Sequence, residues 1–250
     1  DVFYHLSGAF NPAAFPCYQT HAPVNAAMEY AAYIGRWVRL QSRCATDNAL
    51  VGSLAAGDMP YFVLPLQLNS DAQIRDHSRF TDMLEVIEYV LASFAGGAQA
   101  NSRLVIKNHP LDMGMIDYSK EVQRISERYG VLSRVDYLET GDLGCLLERA
   151  AGVVTVNSTV GSFALGMGCP TIALRDPIYN LSGLNYQGTL DDFWRNTTPP
   201  DPELFLRFRK VVMFSTQING GFYCRRGIDL AVRNSAAILE GEVSPLEALM

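Results

Sequence analysis

Residues 152–174, GVVTVNSTVGSFALGMGCPTIAL, are the stretch that indicates the fold class of this chain. The β-branched run GVVTV predicts a buried strand, STVGSFALGMG predicts a short helix that ends at Gly166 or Gly168, and CPTIAL predicts a second strand. Two buried strands joined by a helix run parallel, because the chain crosses over one face before it re-enters the sheet. The stretch therefore predicts a βαβ unit.

The same alternation extends upstream. Strands are predicted at residues 61–68 and 103–107, and helices at residues 81–95, 117–130 and 141–151, the last with Asp142 as its N-cap. Pro65 indicates that the first strand ends early or lies at an edge of the sheet. We therefore predict an α/β fold, a Rossmann-like parallel sheet with helices on both faces.

The flanking segments are predicted to be helical. Residues 25–43 have the spacing of an amphipathic helix that we expect to pack in a core, with a binding face made of its Tyr, Trp and Arg side chains as the alternative. Residues 202–218 and 225–240 predict two C-terminal helices. We divide the chain into a mainly helical or loop segment (1–58), a Rossmann-like domain (59–200) and C-terminal helices that pack back on the fold (201–250).

Composition excludes several classes of protein. The chain has 250 residues, a formal net charge of −6 and a pI of about 5.2, so neither a nucleic-acid partner nor a broad polybasic membrane surface is expected. Its five cysteines are an odd number without C-x-x-C spacing, which disfavours a disulfide framework and a zinc site. No signal peptide or membrane-spanning run is visible. We expect reduced thiols and a cytoplasmic location.

Several catalytic motifs are also missing. The chain has no G-x-x-x-x-G-K-[ST], G-x-G-x-x-G or G-x-S-x-G, which disfavours a P-loop NTPase, a dinucleotide fingerprint and the usual hydrolase elbow. No D-x-D pair occurs, so a metal-bridged sugar-nucleotide site is disfavoured. No metal and no cofactor are expected.

The loop after the strand at 152–156 carries the first candidate site. Asn157, Ser158 and Thr159 stand at a helix start, where small polar side chains cap free N–H groups. The same N–H groups and the positive end of the helix dipole bind anions. Gly161 permits a bulky group to approach the backbone. Simple helix capping is the alternative interpretation.

The segment KNHPLDMG (107–114) carries the second candidate site. Lys107 and His109 fall where a strand ends, so both are expected to face the ligand crevice at the carboxyl edge of the sheet. They can bind the oxygens of a phosphate leaving group, and an imidazolium can give it a proton. Pro110 restricts the direction of His109. A surface turn with an incidental histidine is the alternative.

The third candidate site is in PLQLNSDAQIRDHSRF (65–80). Gln67 and Asp71 follow the first strand, and Asp71 is a candidate base or nucleophile, with a turn residue as the alternative. Anion donors on two loops and a carboxylate on a third suit transfer of a group that is activated by a phosphate.

Four motifs in this order resemble the capsule polysaccharide biosynthesis family, bacterial β-Kdo glycosyltransferases that build the lipid-linked Kdo linker of capsules. They are PLQ-x-x-x-D-x-QI (65–74), K-x-HP (107–110), NSTVG-x-x-AL-x-x-G-x-P (157–170) and IYNLSGL (178–184). The segment TQINGGFY (216–223) resembles the member that adds the first Kdo to a lysophosphatidylglycerol acceptor. The HP and Ser/Thr elements are also similar to bacterial sialyltransferases, which likewise use a CMP-activated acidic sugar.

The resemblance implies a retaining glycosyltransferase of GT-B-like architecture that uses CMP-β-Kdo as its donor substrate. His109, Ser158 and Thr159 would hold the CMP phosphate, with Lys107, Asn157 and Gly161 beside them. Asp71 would be the nucleophile and His109 would assist departure. Gln67 and Tyr179 would contact the sugar or base. The chain has Ser70 where the longer enzymes have a further acidic residue, which weakens the assignment of Asp71.

A GT-B enzyme has two Rossmann-like halves, and this chain shows one set of strands. We expect a donor-binding half, with residues 1–58 as the remnant of, or link to, an acceptor-side domain. Expected partners are a lipid-linked acceptor at the inner membrane, where the protein would attach peripherally, and other capsule assembly proteins. Two alternatives stay open: a non-catalytic assembly or export protein that binds CMP or a glycolipid, and another CMP- or UDP-sugar enzyme such as a sialyltransferase.

Overall fold

A computed structural model describes residue 17 and residues 26–69 and 79–249 of the chain. Its centre is a five-stranded parallel sheet. The strands are β1 (Tyr61–Pro65), β2 (Arg103–Lys107), β3 (Val135–Leu138), β4 (Gly152–Thr155) and β5 (Thr171–Ala173). The predicted Rossmann-like α/β class is confirmed.

Helices connect and flank the strands. In chain order they are α1 (Ala26–Ala56), α2 (Met83–Gly97), α3 (Tyr118–Arg128), α4 (Leu143–Glu148), α5 (Thr159–Gly166), α6 (Leu190–Phe193), α7 (Pro202–Val211) and α8 (Arg225–Leu239). A π-helical turn, Val212–Thr216, continues α7 directly. The predicted cap of α4 is confirmed, because Asp142 accepts a hydrogen bond from the Cys145 N–H at 2.8 Å.

The strand order β3-β2-β1-β4-β5 places the first strand at the centre of the sheet. The chain builds outward from β1 through β2 to β3, and then returns to the other side of β1 to add β4 and β5. The direction of winding reverses between β1 and β4. In open parallel sheets, ligands bind beyond the carboxyl ends of the strands at such a reversal.

The core forms two layers, because successive side chains of each strand point to opposite faces of the sheet. Phe62 and Leu64 of β1 pack with α2, α3 and α6 on one face. Tyr61 and Val63 pack with α1, α4 and α5 on the other face. The sheet is thus covered on both faces, so the loops at its carboxyl edge rest on a rigid base.

Pro65 does not mark an edge strand, and that alternative of the prediction is wrong. It is the last residue of a central strand, as the other alternative predicted. The Leu66 N–H donates to the Lys107 carbonyl at 2.8 Å, on the β2 side. Neighbouring main-chain nitrogens alternate in direction, so the Pro65 nitrogen points toward β4. The β1–β4 pairing covers only Phe62 and Val63, so no ladder hydrogen bond is lost there.

Two further features differ from the sequence predictions. Strand β3 was not predicted; its VDYL sequence is short and includes Asp136, whose carboxylate binds the Arg103 guanidinium through two 2.8 Å contacts. The predicted N-terminal helix extends to Ala56, and its aromatic residue Trp37 is 60% exposed instead of packing in a core. Within the described residues, no helix combines the length and apolar character of a membrane span.

Replacement of Phe193 tests the α6 side of the core. Its ring is fully buried and lies 5.9 Å from the Phe62 ring and 5.3 Å from the Tyr186 ring, centroid to centroid. We expect Phe193→Ala to lower the free energy of unfolding by about 3–5 kcal/mol, because the cavity cannot close fully. Phe222, 83% exposed, is the matched control, and Phe222→Ala should change the free energy of unfolding by less than about 0.5 kcal/mol. Similar losses in urea denaturation for both variants would contradict this packing.

Candidate functional site

A pocket of about 1010 Å³ opens at the carboxyl edge of the sheet, beside the reversal between β1 and β4. Its floor contains polar residues that directly follow three strands: Gln67 after β1, His109 after β2, and Asn157, Ser158 and Thr159 after β4. Segments that lie far apart in the chain therefore converge on one cavity. This is the convergence that the sequence predicted for these five residues.

Gln67 and Asn157 join the two sides of the reversal. The Gln67 side-chain amide donates to Asn157 Oδ1 at 3.1 Å, and the Asn157 N–H donates to Gln67 Oε1 at 3.4 Å. Gln67 is buried, so these contacts satisfy an amide that would otherwise be costly to bury. The pair holds the loops after β1 and β4 at a set separation.

Ser158 caps α5 and still has a hydrogen to donate. Its Oγ accepts a hydrogen bond from the Val160 N–H at 3.2 Å. A hydroxyl has one donor and two acceptor sites, so capping leaves the Ser158 O–H able to donate to a ligand. The positive end of the α5 dipole lies at the same place. Capping and anion binding, alternatives in the sequence, are therefore compatible here.

His109 has a defined tautomer in this loop. Its Nδ1 accepts a hydrogen bond from the Leu111 N–H at 3.1 Å, and its own main-chain N–H donates to Asn108 Oδ1 at 2.8 Å. Only an unprotonated ring nitrogen accepts, so the neutral ring carries its proton on Nε2. In this form His109 is a hydrogen-bond donor through Nε2, which suits a phosphate oxygen as partner.

Tyr179 lines the pocket but its hydroxyl is already engaged. It donates to the Ser158 carbonyl at 2.6 Å, and burial raises the pKa of Tyr179 so that the hydroxyl stays protonated. The ring packs against Gly161, so closely that a Cβ built there would overlap Tyr179 Oη. Tyr179 therefore makes a close approach to the Gly161 backbone, and the contact of Gly161 with the donor stays a prediction.

Lys107 does not line the pocket, and its expected orientation toward the crevice is wrong. Strand side chains alternate, so Lys107 shares the face of Val105, under α1 and α4. It is 8% exposed, and its ammonium donates to the Asn108 carbonyl at 3.4 Å. Burial, together with the Arg36 guanidinium, lowers the pKa of Lys107 from its ordinary value.

Asp71, the predicted nucleophile, lies outside the described residues. Gln67 and Leu68, which precede it by a few positions in the sequence, both line the pocket.

The pocket also has an apolar wall that was not predicted from the sequence. It comes from α5, α7 and the π-helical turn, and its large side chains are Phe163, Met167, Phe205, Phe208, Val212 and Met213. Asp176 and Arg209 add charge to the rim. The apolar spacing of α7 was visible in the sequence, but periodicity does not show which cavity a helix covers. A π-helical turn, common at functional sites, has no sequence signature that would have revealed it.

Comparison with known proteins gives the family. The chain matches the model of the capsule polysaccharide biosynthesis proteins over residues 1–223. The chain belongs to this family.

Two curated relatives and one solved structure illustrate the match. The capsule polysaccharide export protein KpsS of Escherichia coli is 34% identical over 223 residues, which is 89% of this chain and 57% of the relative. The capsule polysaccharide modification protein LipB of Neisseria meningitidis serogroup B is also 34% identical, over 89% of this chain and 54% of the relative. The chain thus spans just over half the length of these relatives. A solved β-Kdo 2,7 transferase, KpsC of Thermosulfurimonas dismutans, is 20% identical with a TM-score of 0.42, covering 72% of this chain and 57% of that one.

The contact between Gly161 and Tyr179 can be tested by adding one methyl group. We expect Gly161→Ala to lower the free energy of unfolding by about 1–3 kcal/mol, because the new Cβ forces the Tyr179 ring to move. Gly35 of α1 is the matched control, because a Cβ at that position would meet nothing within 4 Å. Gly35→Ala should raise the free energy of unfolding by up to about 1 kcal/mol, since alanine favours a helix. Equal stability of the two variants would contradict the contact.

Proposed function

We propose that this chain is the donor-binding part of a retaining β-Kdo glycosyltransferase of GT-B type, which takes Kdo from CMP-β-Kdo in capsule linker synthesis. The observation that carries the proposal is the convergence of Gln67, His109 and the 157–159 segment on one pocket at the reversal of the sheet. Family membership supports the capsule context. The choice of Kdo and CMP rests on the motif resemblance.

The donor phosphate would bind where α5 begins. The Ser158 O–H, the His109 Nε2–H and the positive end of the α5 dipole all stabilise negative charge, and this charge increases on the phosphate as CMP leaves. Thr159 lies beside them on the pocket floor. Protein donors would then offset the charge of the leaving group, and the proposal needs neither a metal nor another cofactor.

Transfer with retention would take two displacements. The Asp71 carboxylate attacks the anomeric carbon of Kdo while the bond from that carbon to the CMP phosphate oxygen breaks, and the electron pair leaves with CMP. An acceptor hydroxyl then attacks the same carbon, its proton passes to solvent water, and the bond to Asp71 breaks with its electron pair returning to the carboxylate. A covalent adduct divides a hindered displacement at a tertiary centre into two easier steps.

The acceptor would be a lipid of the (lyso)phosphatidylglycerol type at the inner membrane, reached from the cytoplasm by peripheral attachment. Other capsule assembly proteins are the expected partners. Because the chain spans just over half of its relatives, an acceptor-side half is part of the proposal.

One observation favours a second candidate function. The Escherichia coli relative is named an export protein. A non-catalytic component of capsule export that binds CMP or a glycolipid would use the same pocket without chemistry at Asp71.

Nucleotide titration tests the proposed donor site. We expect CMP to bind and UDP to bind more weakly in isothermal titration calorimetry. Ser158→Ala should weaken CMP binding about tenfold, because one hydrogen bond to a charged group is lost. Ser53, an exposed serine of α1, is the matched control, and Ser53→Ala should leave the affinity unchanged. A preference for UDP, or equal affinity of the two serine variants, would overturn the assignment.

Asp71→Ala separates the enzyme from the export component. In the full-length protein we expect loss of Kdo transfer to a lipid acceptor with CMP affinity changed less than about twofold, because the carboxylate acts on the sugar and not on the nucleotide. The measurements are a radiolabelled Kdo transfer assay and the same titration. Capsule export that continues unchanged in cells carrying the variant would favour the non-catalytic alternative.

A further inference from the structure

We propose that Arg36 of α1 is a positioning residue for the donor site, which sets the direction of the His109 imidazole by holding the main chain of residues 109–112. The inference rests on the proposed function in one respect, namely that His109 contacts the donor phosphate. Arg36 itself does not line the pocket. It therefore acts through His109 and not on the substrate.

The Arg36 guanidinium binds this loop through three carbonyl groups. It donates to the carbonyl oxygens of His109 at 2.9 Å and Pro110 at 2.8 Å, and also to that of Asp112. Its Nε donates to Glu139 Oε1 at 3.0 Å. Arg36 is 3% exposed, so water does not compete for these contacts. The planar fork of donors fixes the loop in one orientation.

Asn108 holds the same loop from the strand side. Its Oδ1 accepts from the His109 N–H at 2.8 Å, and its Nδ2 donates to Glu139 Oε1 at 3.0 Å. Glu139 is thereby shared by Arg36 and Asn108. Burial would raise the pKa of Glu139, but hydrogen bonds from Tyr137, Arg36 and Asn108 outweigh it and hold this pKa below its ordinary value. The carboxylate stays ionised and keeps the arginine in place.

Three groups of His109 have hydrogen-bond partners in this network. Its N–H binds Asn108, its carbonyl binds Arg36, and its Nδ1 accepts from the N–H of Leu111, a residue that follows the Arg36-bound Pro110. The Nδ1 contact depends on the path of the chain from 109 to 111, and Arg36 sets that path. Loss of Arg36 should therefore release the ring from its Nε2–H tautomer.

Arg39 provides a control on the same helix. It also binds a carbonyl of this segment, that of Gly114 at 3.0 Å, but it makes no hydrogen bond with residues 109–112 and its side chain is exposed. Arg39→Met removes the same charge and a similar contact without touching the main chain around His109. Comparison of Arg36→Met with Arg39→Met therefore shows whether an effect on His109 comes from the loss of hydrogen bonds at position 36 or from the loss of one positive charge on α1.

The experiment uses the full chain with ¹⁵N-labelled histidine and compares wild type, Arg36→Met, Arg36→Lys and Arg39→Met. His109→Gln assigns the His109 ring signals in the NMR spectrum. We expect wild type and Arg39→Met to show the Nε2–H tautomer, and Arg36→Met to show averaged tautomers. Arg36→Lys, with fewer donors and no fork, should lie between them. Melting temperatures show which variants fold. If Arg36→Met does not fold, the tautomer spectrum of Arg36→Lys tests the proposal in its place.

Nucleotide affinity supplies the second measurement. Arg36→Met should weaken CMP binding about tenfold, as His109→Gln does, and the double variant should be no weaker than His109→Gln alone. A purely structural role would instead make the two losses add. A wild-type imidazole spectrum in Arg36→Met, or fully additive losses, would overturn the proposal.

The NMR and titration measurements also distinguish the failure of this inference from the failure of the proposed function. Absence of CMP binding by wild type would count against the proposed function alone. The tautomer spectra are recorded without ligand, and they would still support or contradict the role of Arg36.

Discussion

Pairing of β1 with parallel strands on both sides is the constraint on which the rest of this structure depends. It places the carboxyl ends of β2, β1 and β4 side by side at one edge. The loops that leave these ends can then reach each other, and the Gln67–Asn157 contacts close the gap at the reversal. If β1 lay at the edge of the sheet, β2 and β4 could not both be its neighbours, and the loops that follow them would not line one pocket.

Helix α1 is the second support of this edge, although it precedes the sheet in the chain. Asp47 accepts hydrogen bonds from the N–H groups of Glu139 and Thr140 at 3.0 and 2.9 Å, so the helix holds the loop after β3. Arg36 holds the loop after β2. The polar face of α1 is thus used for fastening loops, while Trp37 remains exposed. Helix α1 does not connect two strands, and these hydrogen bonds are what hold it against the carboxyl edge of the sheet.

The sequence predicted four of the five strands because their signals are local. A β-branched run between turn residues is readable without knowing what lies beside it. Strand β3 has no such run, and it is a strand because its main chain pairs in parallel with that of the neighbouring β2. The Arg103–Asp136 ion pair joins the same two strands. Pro65 shows the same limit. Its effect on the sheet depends on the extent of the β4 ladder, which no local pattern contains.

For the site, the sequence by itself determined that polar residues follow three strands, and a parallel sheet brings such residues to one edge. Gln67, His109 and Ser158 therefore share a pocket, as expected. Only the tertiary structure decided that Lys107 faces α1, that Gly161 contacts Tyr179, and that α7 supplies the apolar wall. The physical reason is distance along the chain. Periodicity and capping act between residues a few positions apart, whereas Arg36 and Glu139 are 103 positions apart and become partners only when the helix packs against the sheet.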